Sequence, residues 1–410
     1  MELKTLDSID LKGKTILYRA PYDIELKEIN GVLEVSDDMR IRATLPTLQY
    51  LLKENCKIVV LTYVGRPNGV VDERLRTDPH ARRLAALLNH PVLKLDDCIG
   101  EEVDKKISDM HPGDIIMLEN VRFYKEEMMN DDEFSKKLCF GKEVIVFDGF
   151  PQAHRVHAST TGIEKYLPSV AGLYLEEEVE MLSLLIENPK HPFTIIIGGA
   201  KISDKVDAVR NLINIADNVL VGGAVANVFL KAGGRTLGSS FVEDVFVDKV
   251  KREKKDWVEE ARSILKQAES LGKKIIIPTD LVISDGVFVR TVDISTEEVP
   301  LGWMAFDIGA KTQKEFSKII SQSKTIFLNG PMGKFEDEKF SLGSQTILNA
   351  IKNVKENLSG ETIIAGGDTI DVARTYTSLD DYSHVSLAGG ATLEFLAGKT
   401  LPALVPLIQK

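Results

Sequence analysis

Short apolar runs recur along the chain, each followed by a turn rich in glycine or arginine. Helix-like apolar spacing lies between many of the runs. The runs occupy residues 15–18, 57–62, 114–118, 143–147, 193–197, 218–221, 274–277, 325–328, 361–364 and 384–387. Runs of this length are typical of buried strands, and strands that alternate with helices form parallel sheets. The sequence therefore predicts an α/β protein.

The turn after residues 193–197 combines two glycines with two lysines. Residues 198–205 read Gly-Gly-Ala-Lys-Ile-Ser-Asp-Lys, and we expect a helix to begin at Ser203 or Asp204. Open α/β sheets bind ligands at the carboxyl ends of their strands, where helix N-termini present N–H groups. Lys201 and Lys205 beside bare glycine backbone favour a polyphosphate ligand. The alternative is an ordinary glycine turn with two solvated lysines.

Length and charge restrict the class of protein. The chain has 410 residues, which suggests two or three domains, and a formal net charge of −11, which argues against bulk nucleic-acid binding. We interpret the charge run 251–255 as a solvated helix face. The N-terminus lacks a signal-peptide pattern, and no apolar run reaches membrane-spanning length. We therefore expect a cytoplasmic protein without a membrane or nucleic-acid partner.

Basic side chains cluster just past the predicted strands of the first half. Arg66, Arg122 and Arg155 each follow a strand, and Arg40 lies in the first turn of a helix. The carboxyl ends of parallel strands meet at one sheet edge, so these arginines and His154 predict an anion pocket. Solvated arginines, with Arg40 paired to a neighbouring aspartate, are the alternative. His154 and His157 have a spacing compatible with metal binding, but we favour hydrogen bonding to an anion.

Glycines also follow strands of the second half. They occur in Gly222-Gly223, Asn329-Gly330-Pro331 and Gly366-Gly367, and each group stands at the end of a predicted strand. Backbone without side chains lets a flat, charged ligand such as a nucleotide approach closely. The fingerprints of P-loop NTPases, dinucleotide-binding enzymes, serine hydrolases and zinc proteases are absent from the sequence.

Taken together, these motifs resemble phosphoglycerate kinases. The matching stretches are residues 38–47, 65–67, 118–123, 153–160, 198–205, 329–333, 366–369 and 384–386, all in family order. The resemblance implies an α/β fold with two Rossmann-like, three-layer parallel-sheet domains that face a cleft and are joined by a hinge helix. Residues 1–174 would bind phosphoglycerate, residues 175–190 would connect, residues 191–394 would bind nucleotide, and residues 395–410 would fold back onto the first domain.

The implied reaction is reversible phosphoryl transfer from 1,3-bisphosphoglycerate to Mg-ADP, giving 3-phosphoglycerate and ATP in glycolysis and gluconeogenesis. The acceptor of the reverse reaction is a carboxylate, which is already ionised at neutral pH, so the chemistry needs alignment and charge neutralisation but no general base. The resemblance places Arg40 and Lys201 on the migrating phosphoryl group, with N–H donors from Gly366 and Gly367.

The resemblance also implies roles for the remaining site residues. Lys205 would hold the nucleotide phosphates, Asp368 the Mg²⁺ ion and Thr369 a phosphate. The rest of the nucleotide site would comprise Gly199, Gly222, Gly223, Asn329, Gly330, Pro331 and, at the ribose, Glu336. The phosphoglycerate would be held by Asp23, Arg40, Tyr63, Arg66, Arg122, His154 and Arg155.

Four positions of the phosphoglycerate half depart from the family pattern. Pro21 and Asp23 stand where the family has an aspartate and an asparagine, Tyr63 replaces a histidine, and Phe147 replaces an asparagine. We expect Asp23 to accept a hydrogen bond from the substrate hydroxyl and Tyr63 to donate one. The departures leave two alternatives open: a kinase for another small acyl phosphate, and a nucleotide-binding protein without catalysis. The protein is expected to be a monomer or a homodimer.

Overall fold

The computed structural model describes residues 1–248 and 253–409. The chain divides into two units, Met1–Glu180 with Thr400–Lys410, and Met181–Lys399. The division falls inside the helix Leu173–Glu187, which overlaps the connecting helix expected at residues 175–190. In this division residues 395–399 group with the second unit and Thr400–Lys410 with the first.

The first unit is built around a parallel sheet. Its strands are β1 (Thr15–Arg19), β2 (Leu26–Ile29), β3 (Val32–Val35), β4 (Lys57–Leu61), β5 (Leu93–Lys94), β6 (Ile115–Met117), β7 (Val144–Phe147) and β8 (Ser169–Ala171). Its helices are α1 (Met39–Lys53), α2 (Asp78–Leu88), α3 (Glu101–Ser108), α4 (Lys125–Met128) and α5 (Asp132–Cys139), and α6 (Leu173–Glu187) continues into the second unit. The sheet order is β5-β6-β4-β1-β7-β8. Residues of β1, β6 and β7 are buried throughout, as expected of parallel strands covered on both faces.

The C-terminal segment is hydrogen-bonded to two parts of the first unit. The Lys4 amide donates to the Leu407 carbonyl at 2.7 Å, and the Gln409 amide donates to the Glu2 carbonyl at 3.0 Å. Farther along, the Ala403 amide donates to the Ala153 carbonyl at 3.1 Å, next to His154. These bonds fix both chain termini and one of the loops that carry predicted site residues.

The second unit contains a parallel sheet of the doubly wound type. Its strands are β9 (Phe193–Ile197), β10 (Asn218–Val221), β11 (Val245–Asp248), β12 (Glu253–Asp256), β13 (Ile275–Ile276), β14 (Asp280–Ser284), β15 (Val289–Asp293), β16 (Met304–Ile308), β17 (Thr325–Asn329), β18 (Glu361–Ala365) and β19 (His384–Ser386). Its helices are α7 (Val206–Leu212), α8 (Gly223–Ala232), α9 (Trp257–Ser270), α10 (Ala310–Ile320), α11 (Leu342–Leu358), α12 (Gly367–Tyr376) and α13 (Gly390–Leu396). The order β13-β10-β9-β17-β18-β19 reverses direction between β9 and β17, and such switch points bind ligands.

The structure confirms the predicted α/β class and corrects several local expectations. The helix expected from Ser203 or Asp204 begins at Val206. In the charge run 251–255, residues 251 and 252 lie outside the described residues, and the remainder belongs to strand β12 rather than to a helix. The polar segment before residue 36 contains the hairpin β2–β3, and β14, β15 and β16 form an antiparallel sheet that the sequence did not predict. The apolar and polar residues of these strands alternate over only a few positions, which is a weaker signal for a strand than a continuous apolar run.

Glu164 generates a prediction about stability. Both of its carboxylate oxygens are buried and have no hydrogen-bond partner among the described residues. Burial raises the pKa of Glu164 to about 9. At a pH between the pKa of Glu164 in the unfolded chain and its pKa in the folded chain, the carboxyl is protonated in the folded chain and ionised in the unfolded chain. The free energy of unfolding therefore falls as pH rises through this range. We expect Glu164→Gln to raise that free energy at about pH 8 by on the order of 3 kcal/mol.

Urea unfolding at several pH values measures this effect. The stabilisation by Glu164→Gln should shrink toward about pH 5, where the wild-type carboxyl is protonated in the folded state. Glu28→Gln, which changes an exposed carboxylate on β2, serves as the control. A pH-independent difference between Glu164→Gln and the wild type would contradict the prediction.

Candidate active site

The turns after β9 and β17 are joined through their backbones. The Gly198 amide donates to the Asn329 carbonyl at 2.9 Å, and the Gly199 amide donates to the Pro331 carbonyl at 2.7 Å. A Cβ atom on Gly198 would lie 2.2 Å from the Pro331 oxygen, and one on Gly330 would lie 2.4 Å from the Gly198 carbonyl carbon. The two turns therefore require glycine at these positions, because the backbones touch.

The Gly222-Gly223 turn joins the same cluster. The Gly223 amide donates to the Met332 carbonyl at 2.9 Å, and the Val225 amide donates to the Gly199 carbonyl at 3.1 Å. Gly223 has a φ of +58°, and a Cβ there would lie 2.7 Å from the Gly199 nitrogen. Glycine turns from three neighbouring strands, β10, β9 and β17, thus form one continuous surface at the carboxyl edge of the sheet.

Thr369 ties the β17 turn to helix α12. Its Oγ1 accepts from the Gly330 amide at 2.7 Å and donates to the Ala365 carbonyl at 2.7 Å. Asn329 Nδ2 donates to the same Ala365 carbonyl at 2.8 Å. Thr369 is buried, so its hydroxyl proton is used within the protein, and the backbone N–H groups at the start of α12 remain as anion donors. The side-chain bonds of Thr369 position the turn, and the predicted contact of Thr369 with a phosphate stays a prediction.

A pocket of about 460 Å³ lies at the N-terminus of α12. Lys205, Asn329, Gly366, Gly367 and Asp368 contribute to its lining. Burial lowers the pKa of Lys205, and the nearby carboxylates of Asp204 and Asp368 oppose that shift. A half-buried cation next to the start of a helix is a favourable environment for phosphate groups.

A second pocket of about 220 Å³ has mainly apolar walls. Its lining includes Leu281, Met304, Phe306, Met332 and Phe335. Gly199, Gly223, Pro331 and Glu336 also line it, and Asp368 lines both pockets. The two pockets suit a ligand that has a flat apolar part and an anionic part.

The remaining predicted residue of this unit, Lys201, is exposed in the loop after Gly199. The sequence did not single out Asp307, which lines the apolar pocket and accepts from the Gly343 amide at 2.7 Å and the Ile308 amide at 2.9 Å. Burial raises the pKa of Asp307 to about 7. Its contacts hold β16 against the start of α11, and no spacing signal in the sequence marks that contact.

In the first unit, Gly65 connects several of the predicted residues. Asp23 Oδ1 accepts from the Gly65 amide at 2.9 Å, and Arg122 Nη1 donates to the Gly65 carbonyl at 2.6 Å. The Arg40 guanidinium donates to the Asp23 carbonyl. Arg66, adjacent to Gly65, is exposed and lines a pocket of about 710 Å³ together with Asp23. Asp23, Arg40, Arg66 and Arg122 are thus brought together around one turn.

The Tyr63 ring packs against the Arg122 side chain, next to the turn at Gly65. The Arg122 guanidinium carbon is 3.4 Å from the ring centroid, and Tyr63 is buried. His154 and Arg155 are half-buried on the loop after β7. The Asp38 carboxylate bonds to Arg42 and Arg83, whereas the Arg40 guanidinium reaches the Asp23 carbonyl.

Asn120 and Arg19 are site-forming residues that sequence reasoning missed. Asn120 Nδ2 donates to the Val64 carbonyl at 2.7 Å and to the Leu75 carbonyl at 2.9 Å, which fixes both ends of the segment carrying Arg66. Arg19 ends β1, is fully buried and donates through Nε to the Ser159 carbonyl at 3.0 Å. Burial lowers the pKa of Arg19. The signal for Arg19 was available, since it directly follows a predicted strand.

The described residues contain no group of three or more His, Cys, Asp or Glu side chains suited to hold a metal ion. His157 Nδ1 is 3.7 Å from Glu127 Oε1, and burial together with nearby arginines lowers the pKa of His157 to about 4. A Mg²⁺ ion commonly uses only one or two protein carboxylates and completes its shell with phosphate oxygens and water. The exposed Asp368 carboxylate, beside the phosphate-sized pocket, fits that donor set.

Comparison with known proteins identifies the family. The profile of the family described as phosphoglycerate kinase matches residues 6–399. The phosphoglycerate kinase of Dictyoglomus turgidum is 43% identical over 407 residues, covering 98% of this chain and 97% of its own. This chain belongs to the phosphoglycerate kinase family. The phosphoglycerate kinase of Pelotomaculum thermopropionicum is 39% identical over 414 residues, with full coverage of both chains.

Solved phosphoglycerate kinases share the fold. The structure of phosphoglycerate kinase from Coxiella burnetii superposes with a TM-score of 0.83 at 32% identity and covers 99% of each chain. That from Pyrococcus horikoshii OT3 gives 0.83 at 31% identity, with 99% of this chain and 98% of its own covered. Phosphoglycerate kinases use ADP and ATP as co-substrates. Across residues 1–248 and 253–409, the helices lack the length and apolarity needed to cross a membrane.

The buried hydrogen bonds of Thr369 lead to a prediction about the stability and the ADP binding of this phosphoglycerate kinase. Thr369→Val removes the acceptor of the buried Gly330 amide, and a buried N–H without a partner costs roughly 1–3 kcal/mol. We expect a lower melting temperature and weaker ADP binding, measured by calorimetry. The matched control is Thr375→Val on the same helix, where the exposed hydroxyl bonds only to the Asp371 carbonyl at 2.8 Å. Equal effects of both substitutions would contradict the role of Thr369.

Proposed function

We propose that this chain catalyses reversible phosphoryl transfer from 1,3-bisphosphoglycerate to Mg-ADP, giving 3-phosphoglycerate and ATP. It is a phosphotransferase whose acceptor in the reverse direction is a carboxyl group. The observation that carries the proposal is the pair of pockets that share Asp368: one lies beside Lys205 and the start of α12, and the other has apolar walls. Membership of the phosphoglycerate kinase family supports the same reaction.

The second unit binds the nucleotide in this proposal. The base lies in the apolar pocket against the glycine turns, and Glu336 binds the ribose. Lys205 and the N–H groups of Gly366 and Gly367 hold the phosphates. The glycine turns contribute backbone rather than side chains, because a Cβ at Gly198, Gly223 or Gly330 would collide with the neighbouring turn.

Asp368 is the residue that would hold Mg²⁺, and the ion would neutralise phosphate charge. The carboxylate is exposed, lines both pockets and lies close enough to Lys205 to oppose the lowering of the Lys205 pKa. Lys205 and Asp368 therefore present opposite charges to the same pocket. A lysine can bind phosphate oxygens directly, while a carboxylate can do so only through a cation.

The first unit binds phosphoglycerate in this proposal. Arg66, Arg122, Arg155 and His154 hold the anionic groups, and Asp23 faces the substrate hydroxyl. The bond from the Gly65 amide to Asp23 Oδ1 supports this arrangement, because it fixes the carboxylate beside Arg66 and Arg122. Arginines are suited to this role since a guanidinium can make two parallel bonds to a carboxylate or phosphate.

The proposed chemistry requires alignment and charge stabilisation. Arg40 and Lys201 act on the migrating phosphoryl group, and the N–H groups that open α12 share its charge. The Arg40 guanidinium is already oriented through the Asp23 carbonyl, whereas Lys201 is exposed on its loop. The acceptor carboxylate is ionised at neutral pH, so no residue needs to remove a proton. We also propose a cytoplasmic location and a monomeric or homodimeric state.

Arg40 and Lys201 give the test of the proposed chemistry. In a coupled assay with 3-phosphoglycerate, Mg²⁺ and ATP, we expect Arg40→Ala or Lys201→Ala to lower kcat by about 10²–10³-fold. Each substitution removes a cationic side chain that stabilises the negative charge of the transition state. Circular dichroism should remain unchanged. Lys314→Ala, an exposed lysine on α10, is the control. A near-normal kcat in Lys201→Ala would refute its assigned role.

A kinase for a different small acyl phosphate is the second candidate. One observation favours it: Pro21 supplies neither a side-chain acceptor nor an N–H donor. Rates with 3-phosphoglycerate and with unphosphorylated or shorter carboxylates separate the two candidates. We expect 3-phosphoglycerate to give the highest kcat/KM, by at least about tenfold, because the arginines pair with its phosphate. A clear preference for another acid would favour the second candidate, and ADP binding without turnover would favour a non-catalytic role.

A further inference from the structure

Two guanidinium groups of the first unit lie near the Tyr63 ring. The guanidinium carbon of Arg122 is 3.4 Å from the ring centroid, and that of Arg19 is 5.2 Å from it. Both lie within the distance over which a cation is attracted to an aromatic face. Tyr63 is only 2% exposed, so water screens this attraction weakly.

Sheet topology explains why these three side chains meet. The strand order β6-β4-β1 places the residues that follow β6, β4 and β1 next to one another at the carboxyl edge. Arg122 follows β6, Tyr63 follows β4 and Arg19 ends β1. The aromatic ring therefore occupies the middle position in a row whose outer members are both cations. It attracts both of them.

The stacked Arg122 guanidinium has a defined orientation. One face lies against Tyr63, and Nη1 donates to the Gly65 carbonyl at 2.6 Å. Its Nε is buried and has no hydrogen-bond partner in the described part of the chain. Stacking on an aromatic face leaves the in-plane N–H groups of a guanidinium free to form hydrogen bonds, so the ring can fix the orientation of Arg122 without using its donors.

We propose that Tyr63 is a positioning residue for the substrate arginines: its ring face, and not its hydroxyl, orients Arg122. This inference rests on the proposed function and replaces the expected hydrogen bond from Tyr63 to the substrate. A histidine in this place, as in the family pattern, has a smaller ring and adds a third positive charge when protonated. Tyrosine keeps its aromatic face neutral beside the arginines.

The test compares Tyr63→Leu with Tyr63→Phe in the full chain. In steady-state assays we expect Tyr63→Leu to raise the KM for 3-phosphoglycerate at least about tenfold, because the desolvated cation–π contact is lost, with the KM for ATP within about twofold of wild type. Tyr63→Phe should restore the KM for 3-phosphoglycerate to within about threefold of wild type, since the ring remains. The control is Tyr166→Leu. Tyr166 is a half-buried tyrosine of the same unit, and its hydroxyl donates to Asp132.

The Arg122→Lys variant tests whether Tyr63 acts through Arg122. Lysine keeps the charge but has no planar group to stack, so Tyr63→Leu should have a smaller effect on KM when Arg122 is already lysine. An undiminished effect in that background would overturn the inference. The inference would also be overturned if Tyr63→Phe raised the KM for 3-phosphoglycerate as much as Tyr63→Leu does, or if Tyr63→Leu left that KM unchanged.

Binding measurements separate this inference from the proposed function. Calorimetry with inorganic phosphate, run on the same variants, reports on the arginines without requiring turnover. An inactive wild type would refute the proposed function, while weaker phosphate binding in Tyr63→Leu than in Tyr63→Phe would still support the role of the ring. Circular dichroism and ADP binding confirm folding, and Tyr63→Met replaces Tyr63→Leu should the latter not fold.

Discussion

The contact between the Gly198-Gly199 turn and the Asn329-Gly330-Pro331 turn is the constraint on which the second unit depends. Two hydrogen bonds join these backbones, and Cβ atoms at Gly198 or Gly330 would lie within 2.4 Å of backbone atoms across the contact. The contact lies where the sheet order reverses, between β9 and β17. Because no side chain fills that space, the pocket wall is made of backbone, which admits a flat ligand. Thr369 extends the same constraint to α12 by bonding to Gly330 and Ala365, so the helix whose N-terminus lines one pocket is fixed by a turn that lines both pockets.

The first unit solves a different electrostatic problem, which is how to hold several arginines near one another without a ligand. Each guanidinium has a specific neighbour: Arg122 has the Tyr63 ring and the Gly65 carbonyl, Arg40 has the Asp23 carbonyl, and Arg19 has the Ser159 carbonyl. Carbonyl oxygens and an aromatic face attract the cations without neutralising them. These contacts orient the three guanidinium groups within the protein itself.

Much of the fold could be predicted because its signals are local. The buried strands β9, β17 and β18 were found within one residue, since aliphatic runs of that length have few alternatives. The positions of Arg66 and Arg122 after strands were enough to predict that they share an edge. The antiparallel strands β14, β15 and β16 were missed, because their pairing depends on contacts between distant residues. The bonds of the Thr369 hydroxyl to Gly330 and Ala365 could not be predicted either, because they join residues brought together only by the fold.

The sequence by itself determined the α/β class, the parallel sheets, the glycine and arginine turns at strand ends, and the resemblance to phosphoglycerate kinases. These features follow from residue type and short-range spacing, which act within a few residues of the chain. The tertiary structure decided which turns touch and what each side chain contacts. Strand order placed Tyr63 near Arg122 and Arg19, and it brought Asn120 against both ends of the segment that carries Arg66. Such neighbours are separated by tens of residues along the chain, and only the packing of the whole sheet selects them, because no local signal encodes strand order.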